Sequence, residues 1–154
     1  MTKPFVIDAC ALMNANHHYS MSSQFFSRVW DTFGEMISKG ELISTSEVMD
    51  ELKDEKLAAW AKQHHECFLP LSKDIQDETK AILKQYPLLI QMKSVKNSNA
   101  DPFLIATAMV NNGTIVTDER FGDEKNGQIK IPNVCRAKNI PCITLQEFMS
   151  EIMP

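Results

Sequence analysis

The sequence predicts an α/β domain, a three-layer α/β/α sandwich in which helices cover both faces of a mostly parallel central sheet. Short apolar runs, each the length of a buried strand, alternate along the chain with amphipathic helical patterns. The 154 residues are 44% hydrophobic and 23% charged, which is ordinary for a folded domain. This length favours one domain that covers residues 1–154.

The predicted elements follow from apolar spacing and from stop signals. Short apolar runs predict strands at residues 5–7, 42–44, 67–70, 114–117 and 141–143. Helical spacing predicts helices from Ala9, over 21–38, from a cap at Ser46, over 55–65, 72–86 and 101–111, within 129–139, and over 145–153. Gly40 and Asn112-Gly113 are typical stop signals, and the polar segments 93–99 and 122–128 are predicted to be loops.

Composition excludes several classes of protein. With 16 basic and 20 acidic side chains the chain carries a net charge of −4, which argues against a protein that holds nucleic acid by charge alone. It is compatible with an enzyme whose carboxylates hold metal ions, because the cations reverse the local field. No apolar run approaches the roughly 18 residues of a membrane span, and Asp8 interrupts the first apolar stretch, unlike a secretory signal. We therefore expect a cytoplasmic protein whose four cysteines, which form no C-x-x-C pair, stay reduced.

Acidic residues stand where the predicted strands end. Asp8 follows the first run, and Asp118 and Glu119 follow the fourth. Asp101 opens the helix that leads to that fourth strand, and Glu51 lies on the helix after the second strand. The carboxyl ends of parallel strands meet at one edge of the sheet, where functional groups gather. Converging carboxylates repel one another unless a cation lies between them, and oxygen ligands favour Mg²⁺ or Mn²⁺ over zinc.

Each of these acids also has an ordinary structural explanation. Asp101 precedes a proline, which is the pattern of a helix N-cap followed by proline at the first helical position. Asp8 has the position of a cap for the helix that follows it, Glu51 resembles a solvated helical acid, and Asp118 and Glu119 resemble turn residues. The sequence favours a metal site only through the coincidence of all of them at one edge.

Four segments of the chain, in order, resemble the motifs of PIN domains. The first motif of the family is a strand that runs into an aspartate, and the segment that resembles it is VIDACALMNA. The segment that resembles the second motif is SEVMDEL. The third and fourth motifs are resembled together by NADPFLIATAMVNNGTIVTDE. The C-terminal stretch of a mostly uncharacterised bacterial PIN subgroup is similar to KIPNVCRAKNIPCITLQEFM. The resemblance covers nearly the whole chain.

The resemblance implies an Mg²⁺- or Mn²⁺-dependent endoribonuclease with the same α/β/α fold. It implies that Asp8, Glu51 and Asp101 are catalytic acids of the first three motifs. The fourth acid is Asp118 or Glu119. PIN domains often have a threonine, any residue and then an aspartate, so Glu119 matches the position of the acid and Asp118 matches its residue type. The resemblance implies that Thr117 lines the site and that the metal ligands are Asp8, Asp101, Asp118 and Glu119.

The resemblance also implies one or two bound ions and RNA cleavage to 5′-phosphate and 3′-hydroxyl ends. It further implies the role of a VapC-like toxin that has an antitoxin protein as its partner. A homodimer is a further expectation. Basic residues in or near predicted loops are candidates for contacts with RNA phosphates: Lys93, Lys96, Lys130 and Arg136. Solvated surface positions are the alternative for them. Two other functions stay open, a binding or assembly module on this fold with a degenerate metal site, and a housekeeping RNA-processing or DNA flap nuclease.

Overall fold

The structure is a computed structural model that describes residues 3–89 and 100–154. Its strands are β1 (Phe5–Ile7), β2 (Leu42–Thr45), β3 (Phe68–Leu69), β4 (Thr114–Val116) and β5 (Cys142–Ile143). Its helices are α1 (Ala9–His18), α2 (Ser27–Ser38), α3 (Ser46–Asp50), α4 (Glu55–Gln63), α5 (Lys73–Gln85), α6 (Asp101–Asn111), α7 (Ile131–Lys138) and α8 (Leu145–Ile152). The predicted loop 93–99 lies outside the described residues.

All the pairings in the five-stranded sheet are parallel, in the order β3-β2-β1-β4-β5. Val6 in the central strand pairs with Ile43 on one side and with Ile115 on the other. The chain therefore builds outward from β1 in both directions, and the strand order reverses between β1 and β4. The predicted α/β fold with a parallel sheet flanked by helices is confirmed.

Helices on the sheet bury its central strands. Val6, Ile115 and Val116 are fully buried, as expected for a parallel sheet covered by helices. The helix α6, which contacts β1, β2 and β4, is apolar nearly all round, and Leu104 and Ile105 in it are fully buried. This packing holds the carboxyl ends of β1 and β4 in a fixed relation.

Two helix starts differ from the prediction. The helix expected over 21–38 begins only at Ser27, because Ser23 caps a 3-10 turn at Gln24–Phe26 by accepting a hydrogen bond from the Phe25 amide. The helix expected to be capped by Ser46 has Thr45 at its N-cap, and the Thr45 side chain makes no capping hydrogen bond. Both differences concern the first residues of a helix, where several hydroxyl side chains compete for the cap position.

Within residues 3–89 and 100–154, no helix combines the length and the apolar character that crossing a membrane requires. The four cysteines are free thiols, as predicted, with Cys67 and Cys135 buried and Cys10 and Cys142 partly exposed.

Candidate functional site

Asp8 lies at the carboxyl edge of the sheet, directly after β1. Its Oδ1 accepts a hydrogen bond from the Ala11 amide at 2.7 Å, so it caps α1 as one interpretation of the sequence predicted. Its Oδ2 accepts a hydrogen bond from Thr117 Oγ1 at 2.5 Å, and the side chain is only 4% exposed. The capping role therefore uses one carboxylate oxygen, while the other reaches the end of β4.

Thr117 links the acids that follow β1 and β4. Its backbone N–H donates to the Ile143 carbonyl at 3.0 Å, which extends the β4–β5 pairing by one residue. Its hydroxyl donates to Asp8 and accepts a hydrogen bond from the Glu119 amide at 3.0 Å. This buried hydroxyl thus fixes the Asp8 carboxylate relative to the Glu119 backbone.

The Asp8 carboxyl group is an abnormally weak acid. Its pKa is raised from 3.8 to about 7, chiefly by burial and to a smaller extent by repulsion from Glu119 and Asp118. The hydrogen bonds from Thr117 and Ala11 act in the opposite direction and do not outweigh burial. The structure therefore brings the acid of β1 and the two acids after β4 close enough to interact electrostatically.

Asp118 is held by two other elements. Its Oδ2 accepts a hydrogen bond from Asn14 Nδ2 at 2.6 Å, and its Oδ1 accepts one from the Leu145 amide at 2.9 Å. Asn14 belongs to α1 and Leu145 is the first residue of α8. Since each carboxylate oxygen already accepts a hydrogen bond, Asp118 acts in this structure as a link between α1 and α8.

Glu119 has a looser environment. It is partly buried, and its Oε1 accepts a hydrogen bond from the amide of Ile131, the first residue of α7, at 3.3 Å. Its charge acts on Asp8 more strongly than that of Asp118. Of the two candidates for the fourth acid, Glu119 is therefore the one more closely coupled to Asp8.

Cys10 and Asn14 also belong to this cluster, although sequence reasoning did not select them. They are four residues apart on α1 and so share one helix face, with Asn14 Nδ2 3.9 Å from Cys10 Sγ. Burial raises the pKa of the Cys10 thiol to about 11, and the charges of Asp8, Asp118 and Glu119 contribute. The thiol stays protonated at neutral pH, so the atoms of this cluster that could bind a metal ion are hard oxygen atoms. The available signal was the four-residue spacing between Cys10 and Asn14 on the helix that follows Asp8.

Asp101 and Glu51 lie on α6 and at the end of α3. Asp101 is buried in the first turn of α6, with Ala100 at the N-cap, so the prediction that Asp101 occupies the N-cap was wrong. Because α6 leads directly into β4, its first turn lies toward the carboxyl edge of the sheet. Glu51 is the partly buried C-cap of α3, and α3 contacts α6.

The basic candidates lie on the α7 side of the site or outside the described residues. Lys130 precedes α7, and the Arg136 guanidinium on α7 lies 4.6 Å from the centre of the Phe121 ring. Arg136 also lies 3.4 Å from the Glu124 carboxylate. The predicted contacts of Lys93 and Lys96 fall on residues that the structure does not describe.

A cavity of about 680 Å³ adjoins the acids. Thr117 and Glu119 lie on its wall, together with residues of α7 and β5. The apolar part of the lining has these members: Phe121, Pro132, Ile140 and Ile143. The cavity therefore gives the acid cluster a route to solvent on the β5 side.

The donor atoms can be compared with the needs of a metal ion. Within residues 3–89 and 100–154, no three histidine, cysteine, aspartate or glutamate side chains are arranged as a metal centre. Mg²⁺ keeps several water ligands and is commonly bound by one or two carboxylates together with substrate phosphates. Asp8 and Glu119 supply oxygen atoms of the kind that such a hard cation prefers, and the described residues form no closed three-ligand site.

A family model described as a domain of unknown function, DUF4411, matches residues 5–153. The chain belongs to this family. No curated protein matches the chain. The DUF4411 match begins at β1 and ends after α8, so it includes every element that contributes to the acid cluster.

Proposed function

We propose that this DUF4411 chain is a metal-dependent endoribonuclease of the PIN type. The observation that supports this most directly is the coupling of Asp8 to Glu119 through Thr117, at the place where the strand order reverses between β1 and β4. In open α/β sheets, ligands bind outside the carboxyl ends of the strands at this switch point. A buried carboxyl group whose pKa is raised to about 7 beside other acids is also typical of a functional site.

A bound Mg²⁺ or Mn²⁺ ion would supply a water of lowered pKa and would offset negative charge on the phosphodiester. Asp8 and Glu119 would hold it, with Asp101 and Glu51 completing the acidic surroundings. Thr117 orients the Asp8 carboxylate, because its hydroxyl occupies the lone pair that faces β4. Asp118 positions α1 and α8 around the site. Lys130 and Arg136 would contact RNA phosphates on the α7 side.

The proposed cellular role is that of a cytoplasmic toxin restrained by an antitoxin protein, and the PIN resemblance of the motifs is its support. A neighbouring gene for a small DNA-binding protein would strengthen this role, and a solitary gene would weaken it.

A binding or assembly module is the second candidate function. The observation that favours it is that both oxygens of Asp118, like both oxygens of Asp8, already accept hydrogen bonds from protein groups, so an ion would have to compete with these donors. Such a module would keep the fold, and it would neither bind Mn²⁺ tightly nor cleave RNA.

The first prediction compares thermal unfolding with and without Mn²⁺ for the wild type and for Asp8→Asn. A ligand at 100 times its Kd raises the free energy of unfolding by about 2.7 kcal/mol, which is roughly 5–10 °C in the midpoint for a domain of this size. We expect this rise for the wild type and a much smaller one for Asp8→Asn, which lacks the charge but remains a good N-cap. Cleavage of a mixed-sequence single-stranded RNA should follow the same order.

The matched control is Asp77→Asn, which removes an exposed acid on α5. It should respond to Mn²⁺ and cleave RNA as the wild type does. Equal stabilisation of all three proteins would contradict the metal site at Asp8. Stabilisation of the wild type without any RNA cleavage would contradict the nuclease and leave only the metal site. The absence of both stabilisation by Mn²⁺ and RNA cleavage would favour the binding module.

A further inference from the structure

Two cysteine side chains meet on the wall of the cavity. Cys135 lies on α7 and Cys142 on β5, and both line the cavity beside Thr117 and Glu119. Their thiols are within hydrogen-bonding reach, with Cys135 as the donor to Cys142. Cys135 is 1% exposed, whereas Cys142 is partly exposed. The pair therefore has one accessible sulfur and one buried sulfur in contact with it.

We propose that Cys135 and Cys142 are a modification site at which a hydroperoxide that enters the cavity converts the two thiols into a reversible intramolecular disulfide. This inference does not rest on the nuclease function. It requires that the two thiols are neighbours and that a small oxidant can reach one of them. Both residues line the same cavity, and their side chains interact with each other.

The two cysteines have different roles in this reaction. The hydrogen bond from Cys135 lowers the pKa of the Cys142 thiol, although burial acts in the opposite direction. The same hydrogen bond and burial raise the pKa of the Cys135 thiol. Because Cys142 is the more exposed of the two, it is the thiol that meets and attacks the oxidant, and the buried Cys135 resolves the product.

The steps balance as follows for hydrogen peroxide. The Cys142 thiolate attacks one peroxide oxygen, the O–O bond breaks, and the sulfur becomes a sulfenic acid while hydroxide leaves and takes up a proton. The Cys135 sulfur then attacks the sulfenic sulfur, the S–O bond breaks, the S–S bond forms, and water leaves with the Cys135 proton. The two sulfurs together lose the two electrons that the peroxide gains.

The other two cysteines are not placed for this chemistry. Burial raises the pKa of the Cys67 thiol to about 12, and Cys67 precedes β3 at the opposite edge of the sheet from β5. Cys10 lies on α1 among the acids, with its thiol pKa raised to about 11. Both therefore serve as internal references for the reactivity of the pair.

The experiment is a hydrogen peroxide titration of the folded full-length chain, followed by blocking of free thiols, denaturation and peptide mapping. The number of free thiols is expected to fall from four to two, because one disulfide uses two of the four free cysteines. The intact mass should decrease by two hydrogen atoms, and the linked peptides should contain Cys135 and Cys142. Dithiothreitol should restore all the thiols.

Variants separate this site from general oxidation. Cys142→Ser should form no disulfide. Cys135→Ser should stop at a sulfenic acid on Cys142, which a dimedone probe traps. Cys67→Ser is the matched control and should form the same disulfide as the wild type. A wild-type chain that keeps all its thiols, or that links Cys10 or Cys67 instead, overturns the proposal.

Discussion

At the scale of single residues, Asp8 combines a structural role with a chemical one. Its Oδ1 caps α1 and its Oδ2 meets Thr117, so both oxygens are held by donors. The same burial that makes these hydrogen bonds strong opposes ionisation, since an ionised carboxylate loses its hydration there. Its pKa of about 7 is therefore a consequence of placing a helix cap at the edge of the sheet.

The second prediction concerns how stability depends on pH without metal. The folded pKa of Asp8 is raised from 3.8 to about 7, so the folded chain binds this proton more tightly than the unfolded chain does. The stabilisation is complete below about pH 4 and is lost as the pH rises through about 7. The expected loss in the free energy of unfolding is at most on the order of 4 kcal/mol at 1.36 kcal/mol per pKa unit.

Asp8→Asn does not titrate, so urea unfolding in chelator between pH 4 and pH 8 should show a smaller decline for this variant than for the wild type. Between pH 4 and a pH above 7, the free energy of unfolding should fall less for the variant than for the wild type. Parallel pH profiles for the two proteins would show that Asp8 titrates normally when folded.

At the scale of elements, Asn133 on α7 fixes the segment that carries Glu119. Its Oδ1 accepts hydrogen bonds from the Gly122 amide at 2.8 Å and from the Lys130 amide at 3.0 Å. Its Nδ2 donates to the Gly122 carbonyl at 3.1 Å, and the side chain is buried. One amide group thus closes the loop between β4 and α7, and this loop also forms part of the cavity wall.

The third prediction is that Asn133→Ala destabilises the fold. Three hydrogen bonds are lost and the partly buried backbone groups of Gly122 are left without them, which costs about 2–3 kcal/mol in the free energy of unfolding. Asn126→Ala is the control, because Asn126 is exposed and its side chain bonds only to Asp123 among the contacts described. Urea unfolding measures both, and equal effects would show that the Asn133 bonds exchange freely with water.

At the scale of the whole molecule, the close pairing of β1 with β4 sets the distance between the acids. Gly113 lies before β4, where an added Cβ would be 2.7 Å from Val6 Cγ2 and 2.9 Å from the Pro4 carbonyl oxygen. Phe5 pairs with Thr114 just beyond this contact. The absence of a side chain at Gly113 therefore permits the register that brings Asp8 beside Thr117.

The fourth prediction is that Gly113→Ala destabilises the protein by about 1–3 kcal/mol, because the extra methyl group overpacks two strands whose backbone cannot move aside. Gly34→Ala makes the same chemical change within α2, where the nearest atom belongs to the side chain of the partly exposed His64, at 3.2 Å, and no backbone atom outside the helix is close. Alanine favours a helix over glycine by up to about 1 kcal/mol, so this variant should be neutral or slightly more stable. Thermal unfolding of both proteins tests the difference in sign.

Local patterns in the sequence were sufficient for the class of fold. Apolar runs mark all five strands, and the acids at positions 8, 118 and 119 stand directly after two of them. These features depend on neighbours a few residues away, which is why periodicity detects them. The start of α2 and the cap of α3 were misplaced because several hydroxyl side chains near each helix start satisfy the same local rule.

The sequence by itself determined which residues form strands and where acids follow them, since both are encoded by short-range spacing. Only the tertiary structure decided that Thr117 bonds to Asp8 across 109 positions, that Asp118 is engaged by Asn14 and Leu145, and that Cys135 meets Cys142. Such contacts depend on strand order and on how helices cross the sheet. No local periodicity carries that information, because it arises from the packing of distant segments into one core.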